Sequence, residues 1–366
     1  MDGDTDTATT NAVWCGRIPV IVSLAEADCD GRGPAPEALH IMALRVAYLP
    51  LYAPLVKAHL LGARPDDVGA EAWFSWRGIP LKWHFPIGLL HDMLSTTKLP
   101  PAAAALSDAA TPWHIKLHIT AYPVDKLFKS IPTPGLGNDP PRDFFMNALK
   151  ESDYIRNQSV KKIMSLAKPD QILLWDALQE GVSASTETDA SRAGVRLREL
   201  HDRFWGVNAK LVGAAGTIGT PGIGDAGAVG STEGAAAASP ASAGATGVGA
   251  RAVAVRCYAG WDKPYFQELI PPKDATGVET TLLQALRILA PDLVPSEPGP
   301  SPEADTITSD AATEHLGQLQ IDSAMTDRIK VVSHGVQIPL DTPVAFLGRN
   351  FAYPDNFLHL VLITWT

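Results

Sequence analysis

Cysteine is scarce in this 366-residue chain: Cys15, Cys29 and Cys257 are its three, and none stands in a CxxC pair. An odd number in no ligand spacing excludes a disulfide framework and a zinc knuckle, and points to a reducing, intracellular setting. Long apolar runs are missing too. Stretches such as HLVLITW at 359–365 fall far short of the roughly 18 to 20 residues that cross a bilayer, so any membrane contact is expected to be peripheral. The opening MDGDTDTATT carries Asp2, Asp4 and Asp6 where a secretory or mitochondrial leader would be basic or apolar, which makes the cytoplasm the expected location. The familiar catalytic signatures are equally absent: no Gly-rich phosphate loop, no GxSxG and no HExxH. The chain is therefore not expected to be an enzyme or to need a metal or cofactor, and at a formal net charge of −10 nucleic acid is not an expected partner.

Residues 213–250, GAAGTIGTPGIGDAGAVGSTEGAAAASPASAGATGVGA, lack aromatics and have too little large apolar surface to offset the entropy of ordering, so a disordered insert is expected. Residues 291–327 begin PDLVPSEPGPSP, carry eight acidic residues and contain neither Lys nor Arg, which reads as a second, acidic disordered loop. With Asp225, Glu233 and the three N-terminal aspartates, these parts hold thirteen negative charges against a chain total of −10. The remaining 281 residues are thus slightly basic, at +3.

What is left falls into three segments. In the first, RIPVIVSL (17–24) and ALHIMALRV (38–46) read as strands and PLYAPLVKAHLLG (50–62) as a helix. AWFSW and IPLKWH read as a hairpin turning at Arg77-Gly78, PIGLLHDML (86–94) as a helix and WHIKLHITAY (113–122) as a strand. The third segment repeats the order with AVAVRCY, YFQELI, TLLQALRILA, IKVVSHGVQIP, TPVAFLGRNF and FLHLVLITW. Such an order, with one main helix crossing a small mixed sheet, is the β-grasp arrangement of ubiquitin. Spacing repeats as well: Gly78 is followed by Pro86, Ile87 and Leu90, and Gly335 by Pro343, Val344 and Leu347, at offsets of 8, 9 and 12 in both. The middle segment, with FFMNALKESDYI, SVKKIMSLA, DQILLWDALQ and an amphipathic stretch over 191–211, is helical. The expected fold is α+β. Two ubiquitin-like β-grasp domains (11–125 and 251–366) flank a helix-rich domain (141–212), with a linker at 126–140 and two long disordered inserts.

Few residues carry chemistry. His114 and His118 lie on alternate strand positions with Lys116 between them, so they share a sheet face and do not form a helical ligand pair. Cys257 lies within AVRCYAG, where a buried structural thiol is a stronger reading than a thioester cysteine. Trp73, Phe74, Trp76, Trp83 and Phe85 crowd one hairpin; core packing is the plain reading, and an outward aromatic face for a partner helix or peptide is the sharper one. On one continuous helix, Leu149, Ser152 and Ile163 fall within about 40° of Phe145, with Lys150 about 140° and Lys161 about 160° away from it. Both lysines would then face solvent about 16 Å apart, unless Asn157 or Ser159 caps a fresh helix.

The motifs VWCGRIP (13–19), LRVAYLPLY (44–52), AWFSWRGIPLKWHFPIGLLHDML (72–94), PWHIKLHI (112–119), ALKESD (148–153), LLWDAL (173–178), RFWGVN (203–208) and YPDNFLHLVLI (353–363) closely resemble the autophagy-related protein 5 family, in the family's order. The resemblance implies a non-enzymatic scaffold in autophagosome formation. In that family a lysine within Leu/Met-Lys-Glu/Gln-x-Asp is joined by an isopeptide bond to the C-terminal glycine of the ubiquitin-like autophagy-related protein 12; here that residue is Lys150. The conjugate binds the coiled-coil autophagy-related protein 16 and, ligase-like, stimulates transfer of autophagy-related protein 8 from its conjugating enzyme to phosphatidylethanolamine. A lysine of the following helix touches membrane in the family, and Lys161, with Lys162 beside it, falls at that place. The implied location is the cytoplasm and, peripherally, the preautophagosomal structure or isolation membrane. Glu151 and Asp153 are expected to raise the Lys150 pKa or to orient it. The alternative class is an unmodified ubiquitin-like adaptor that binds partners non-covalently.

Overall fold

The computed structural model describes residues 2–29, 35–62, 71–96, 112–132, 136–212, 252–294 and 329–364. It opens with helix α1 (Asp2–Trp14), which takes in the acidic N-terminal residues ahead of the expected first domain. So polar a helix is marginal alone, but Trp14 is buried, its ring 5.2 Å from that of Phe204, and the anchor holds the last turn in place.

Strand β1 (Arg17–Leu24) alternates half-buried and buried residues along its whole length, as a strand with one covered face must. It pairs antiparallel with β2 (Leu39–Leu44) and parallel with β5 (Trp113–His118); β5 pairs antiparallel with β3 (Trp73–Trp76), which turns into β4 (Ile79–Pro80). Helix α2 (Leu49–Leu61) buries Leu49, Tyr52 and Val56 in the same core as Val20, Val22 and Ile115, and α3 (Ile87–Thr96) follows β4. Helices α4 (Pro140–Asn157), α5 (Lys161–Ser165), α6 (Lys168–Ser185) and α7 (Ala190–Val212) come next. The second sheet is built from β6 (Val253–Tyr258), β7 (Phe266–Ile270), β8 (Ile329–Ser333), β9 (Val336–Ile338) and β10 (Leu358–Thr364), with α8 (Leu282–Leu289) and α9 (Val344–Asn350) between strands. Its order, β7-β6-β10-β8-β9, reproduces β2-β1-β5-β3-β4 of the first sheet, with the same parallel central pair. Both are ubiquitin-like β-grasp folds.

The repeated spacing has a structural cause. Arg77-Gly78 and His334-Gly335 are two-residue hairpin turns with φ of 48° and 79°, and of 51° and 78°, the doubly positive turn that matches strand twist. Eight residues on, Pro86 and Pro343 precede α3 and α9, and Ile87, Leu90, Val344 and Leu347 are all buried.

The second turn does more than reverse the chain. Gly335 N–H donates to Asp92 Oδ2 of α3 at 2.8 Å, and Asp92 pairs with buried Arg45, so the second domain is pinned to the first. A Cβ on Gly335 would lie 2.9 Å from Arg45 Nη1, in a backbone conformation that costs an L-residue about 1–2 kcal/mol. Gly335→Ala is therefore expected to destabilise by more than about 2 kcal/mol, measurable as a lowered denaturant midpoint, while Gly78→Ala, whose Cβ meets nothing within 4 Å, pays the conformational cost alone.

The loop before β10 fastens the second domain to the helices. Asn356, at φ 67°, exchanges two side-chain hydrogen bonds with buried Asn208 of α7 (2.6 and 2.8 Å), and Arg156 of α4 donates to its carbonyl. Buried Asp355 holds both the Phe357 N–H (3.1 Å) and the His359 imidazole (2.9 Å). The first sheet and the helices share one apolar core, which also takes in Tyr258, Trp261, Tyr353 and Val361. The remaining apolar residues of the second domain form their own cluster.

Of the stretches expected to be disordered, 213–250 lies wholly outside the described residues, and 291–327 does so from 295 onward. Residues 291–294 correct the expectation: they form a turn in which Leu293 and Val294 N–H both donate to Ala290 O (3.0 and 2.9 Å). Val294 is fully buried in the second core with half-buried Leu293 packed against it, an apolar anchor that the acidic, Pro-rich composition of the segment hides.

Candidate functional site

Helix α4 carries the lysine that the sequence motif singles out. Asp139 caps it, accepting from Arg142 N–H at 3.5 Å, and Pro140 and Pro141 occupy the first turn, where a missing N–H costs nothing. Phe145, Leu149, Ser152 and Asp153 are buried. Asp143, Asn147, Glu151 and Tyr154 are exposed, and half-buried Lys150 lies among them on the open side of the helix. Lys150 Nζ donates to Asn147 Oδ1 one turn back, at a long 3.5 Å.

The acids beside Lys150 are engaged by other groups, so neither is its ion-pair partner. Glu151 receives Arg256 Nη2 at 2.7 Å and Gln267 Nε2 at 3.0 Å, both from the second ubiquitin-like domain. Asp153 is buried and accepts from Ile163 N–H (3.1 Å) and Asn157 Nδ2 (2.7 Å), welding the end of α4 to α5. Adjacent residues point about 100° apart on a helix, and here each acid has a partner on its own side.

The continuous-helix geometry fails as well. Helix α4 ends at Gln158, which adopts a left-handed φ of 50°, and Ser159 Oγ accepts from Lys161 N–H (3.2 Å) at the start of the separate helix α5. The 16 Å spacing between Lys150 and Lys161 therefore has no basis, although Ile163 does join Phe145 and Leu149 in the core. Lys161 is exposed. Lys162 is only half-exposed, and its Nζ donates to the Leu211 carbonyl (3.2 Å) at the end of α7, where a cation meets the negative end of the helix dipole.

Other candidates resolve as structure. Cys257 is fully buried, and burial pushes its thiol up to about 12, so it is no thiolate nucleophile. Trp73 is half-buried and lines an open apolar pocket beside α2, but Phe74, Trp76 and Trp83 are buried, so most of the crowded hairpin does not face outward. Instead Trp83 Nε1 donates to Phe128 O (2.6 Å) with its ring 5.1 Å from Phe144 of α4, and Phe85 lies 5.6 Å from Tyr258 of the second domain. One arrangement escaped sequence reasoning, because its members come from three distant segments. Ser75 Oγ is 2.8 Å from His118 Nε2, and His118 Nδ1 is 3.5 Å from Asp28 Oδ2, the order of a hydrolase triad. Ser75 is only 2% exposed, however, and the Trp73 ring stacks on His118 at 3.8 Å, so no substrate carbonyl can approach. The trio ties β3 to β5. Among the described residues no group of three or more His, Cys, Asp or Glu side chains is placed to hold a metal ion, and no helix is long and apolar enough to cross a membrane.

With twin β-grasp domains and a helical bundle in place, comparison with known families is decisive. Three models of one family match in order along the chain: Autophagy protein ATG5, UblA domain, over 13–119; its alpha-helical bundle region over 139–185; and its UblB domain over 252–362. The chain belongs to the autophagy protein 5 family. It is 34% identical over 169 residues to Autophagy protein 5 of Oryza sativa subsp. indica, covering 46% of this chain and 40% of that one. It is 26% identical over 364 residues to Autophagy protein 5 of Aspergillus oryzae, covering 96% and 95%. The chain thus matches less than half the length of the rice relative. The crystal structure of Kluyveromyces marxianus Atg5 is similar over 97% of this chain and 98% of that one, with a TM-score of 0.59 at 19% identity, a likeness of fold. Within this family member, the UblA model ends just after β5, the bundle model covers α4 to α6, and the UblB model begins just before β6.

Proposed function

We propose that this family member is a non-catalytic autophagy scaffold, joined through the Lys150 ε-amine to the C-terminal glycine of the ubiquitin-like autophagy-related protein 12. The observation that carries the reading is the setting of Lys150: it stands on the open side of α4, held among the described residues by one long bond to Asn147 on its own helix, while Glu151 and Asp153 are bound elsewhere. An acceptor lysine must reach a thioester without a tight ion pair to break. The neutral amine attacks the thioester carbonyl carbon, a C–N bond forms as the C–S bond breaks, the cysteine thiolate of the conjugating enzyme leaves, and the surplus amine proton passes to solvent or to that thiolate. This chain supplies the nucleophile, and the activating machinery belongs to the conjugating enzyme.

As a conjugate the scaffold binds the coiled-coil autophagy-related protein 16 and promotes transfer of autophagy-related protein 8 to phosphatidylethanolamine, placing it in the cytoplasm and peripherally on the isolation membrane. Membrane contact rests on exposed Lys161, since Lys162 is turned to the Leu211 carbonyl. The test is a denaturing gel of cell extracts. The wild-type chain should run partly as an adduct of summed mass, and Lys150→Arg should abolish that band while keeping the unconjugated one. Persistence of the adduct in Lys150→Arg overturns the acceptor assignment. A single unconjugated wild-type band favours an unmodified ubiquitin-like adaptor.

A further inference from the structure

We infer that Arg256 of the second ubiquitin-like domain is a positioning residue for acylation of Lys150, acting through Glu151 to fix the rotation of the acceptor helix. The inference rests on Lys150 being the acceptor and names a residue, more than 100 positions away, on which the reaction would depend.

The geometry is a closed ring of three side chains. Arg256 Nη2 meets Glu151 Oε2 at 2.7 Å, Arg256 Nε donates to Gln267 Oε1 at 2.6 Å, and Gln267 Nε2 donates to Glu151 Oε1 at 3.0 Å. Both carboxylate oxygens are thus taken. The guanidinium is itself immobilised: its side chain is 7% exposed, and its central carbon lies 3.6 Å from the centre of the Phe357 ring and 5.0 Å from that of Tyr265. Only a planar fork can lie on an aromatic face and still donate in its own plane to two acceptors, so lysine is no substitute here.

Glu151 is the residue next to Lys150, and it lies on the flank of α4 that faces the second sheet. On the opposite flank Leu149 and Asp153 are buried toward the helical bundle. Lys150 therefore points out through the gap between two clamps. The bundle clamp combines apolar packing at Leu149 with the Asp153 bonds that fix the last turn of α4 to α5, whereas beside Lys150 itself the directional hold is the Glu151 pair of charge-assisted bonds. Displacing a reacting atom by about 1 Å costs on the order of 100-fold in rate, so a helix free to roll on its apolar face would present the amine badly while leaving it accessible.

The test is single-turnover transfer to the full chain from the ubiquitin-like modifier held as a C-terminal thioester on its conjugating enzyme. Glu151→Ala removes the clamp at a carboxylate that is 43% exposed, without touching packed Arg256. It is expected to slow transfer at saturating donor at least 10-fold with the half-saturating donor concentration unchanged. Arg256→Gln and Arg256→Lys should slow it likewise, and Glu151→Gln, whose amide oxygen still accepts from Arg256 but whose NH2 meets the Gln267 Nε2 donor, should recover only part of the rate. A residue that merely stabilised the fold would lower the melting temperature and leave the rate of the folded fraction alone. If folded Glu151→Ala reacts at the wild-type rate while Lys150→Arg does not react, the positioning role is overturned and the acceptor reading stands. If Lys150→Arg still forms the adduct, both fall; if an Arg256 variant fails to fold, Glu151→Ala decides.

Discussion

Asp92→Ala is expected to destabilise the protein by about 3 to 5 kcal/mol, the cost of removing one partner from a buried ion pair, and to loosen the second ubiquitin-like domain from the first. The Asp92 side chain is 3% exposed and pairs with Arg45, whose Nη2 also donates to Gly88 O at 3.3 Å. Alanine would strand the guanidinium in a dry junction and release the Gly335 N–H. Burial pushes the Asp92 carboxyl up, but the hydrogen bond from His91, the charge and hydrogen bond of Arg45 and the Gly335 N–H outweigh it and hold the pKa below its ordinary 3.8. A carboxylate so depressed contributes its stability in full above the unfolded value and loses it as pH falls through the folded one. The gap between wild type and Asp92→Ala should therefore be widest at neutral pH and narrow below about pH 4, as read from urea midpoints at several pH values. Unchanged hydrogen exchange at the Gly335 amide in the variant would contradict the domain-docking role.

Phe204→Ala is the second large effect, about 3 to 5 kcal/mol for truncating a fully buried aromatic. Phe204 is on α7, yet its ring lies 5.2 Å from that of Trp14, the residue leading into β1, and both belong to the core that the helices share with the first sheet. The first ubiquitin-like domain and the bundle are accordingly expected to unfold together. At roughly 2 to 4 °C per kcal/mol for a unit of this size, the melting temperature should drop by about 6 to 20 °C. Amide exchange in β1 should accelerate as much as in α7. Protection retained in β1 while α7 exchanges freely would mean that the two units are independent.

Much of the fold was legible because it is locally encoded. Gly78 and Gly335, followed at matching offsets by a proline and two buried apolar residues, mark a turn that needs positive φ and a helix that faces a sheet, and both requirements act within a dozen residues. Lys150 was legible in the same way, since its exposure follows from helical periodicity beside Phe145 and Leu149. Illegible were the destinations of polar side chains. Asp153 looked like a neighbour of Lys150 and binds the Ile163 backbone; Glu151 looked the same and binds Arg256; Lys162 was grouped with Lys161 as a membrane contact and reaches Leu211. A carboxylate has no periodicity that announces its partner. Val294 passed unseen in an acidic, Pro-rich stretch, because one anchor residue does not alter a composition.

From its residues alone, then, the chain determines two β-grasp units, a helical segment between them and a lysine on an open helical stripe, because hydrophobic period and turn chemistry are short-range properties. Only the tertiary structure decided that YPDNF fastens the second domain to α4 and α7, that Phe74, Trp76 and Trp83 of the hairpin are buried, and that the helix bearing Lys150 is gripped by Arg256 from a strand more than 100 residues away. Those contacts depend on where folded surfaces meet, and a hydrogen bond between distant segments leaves no mark on either one read by itself.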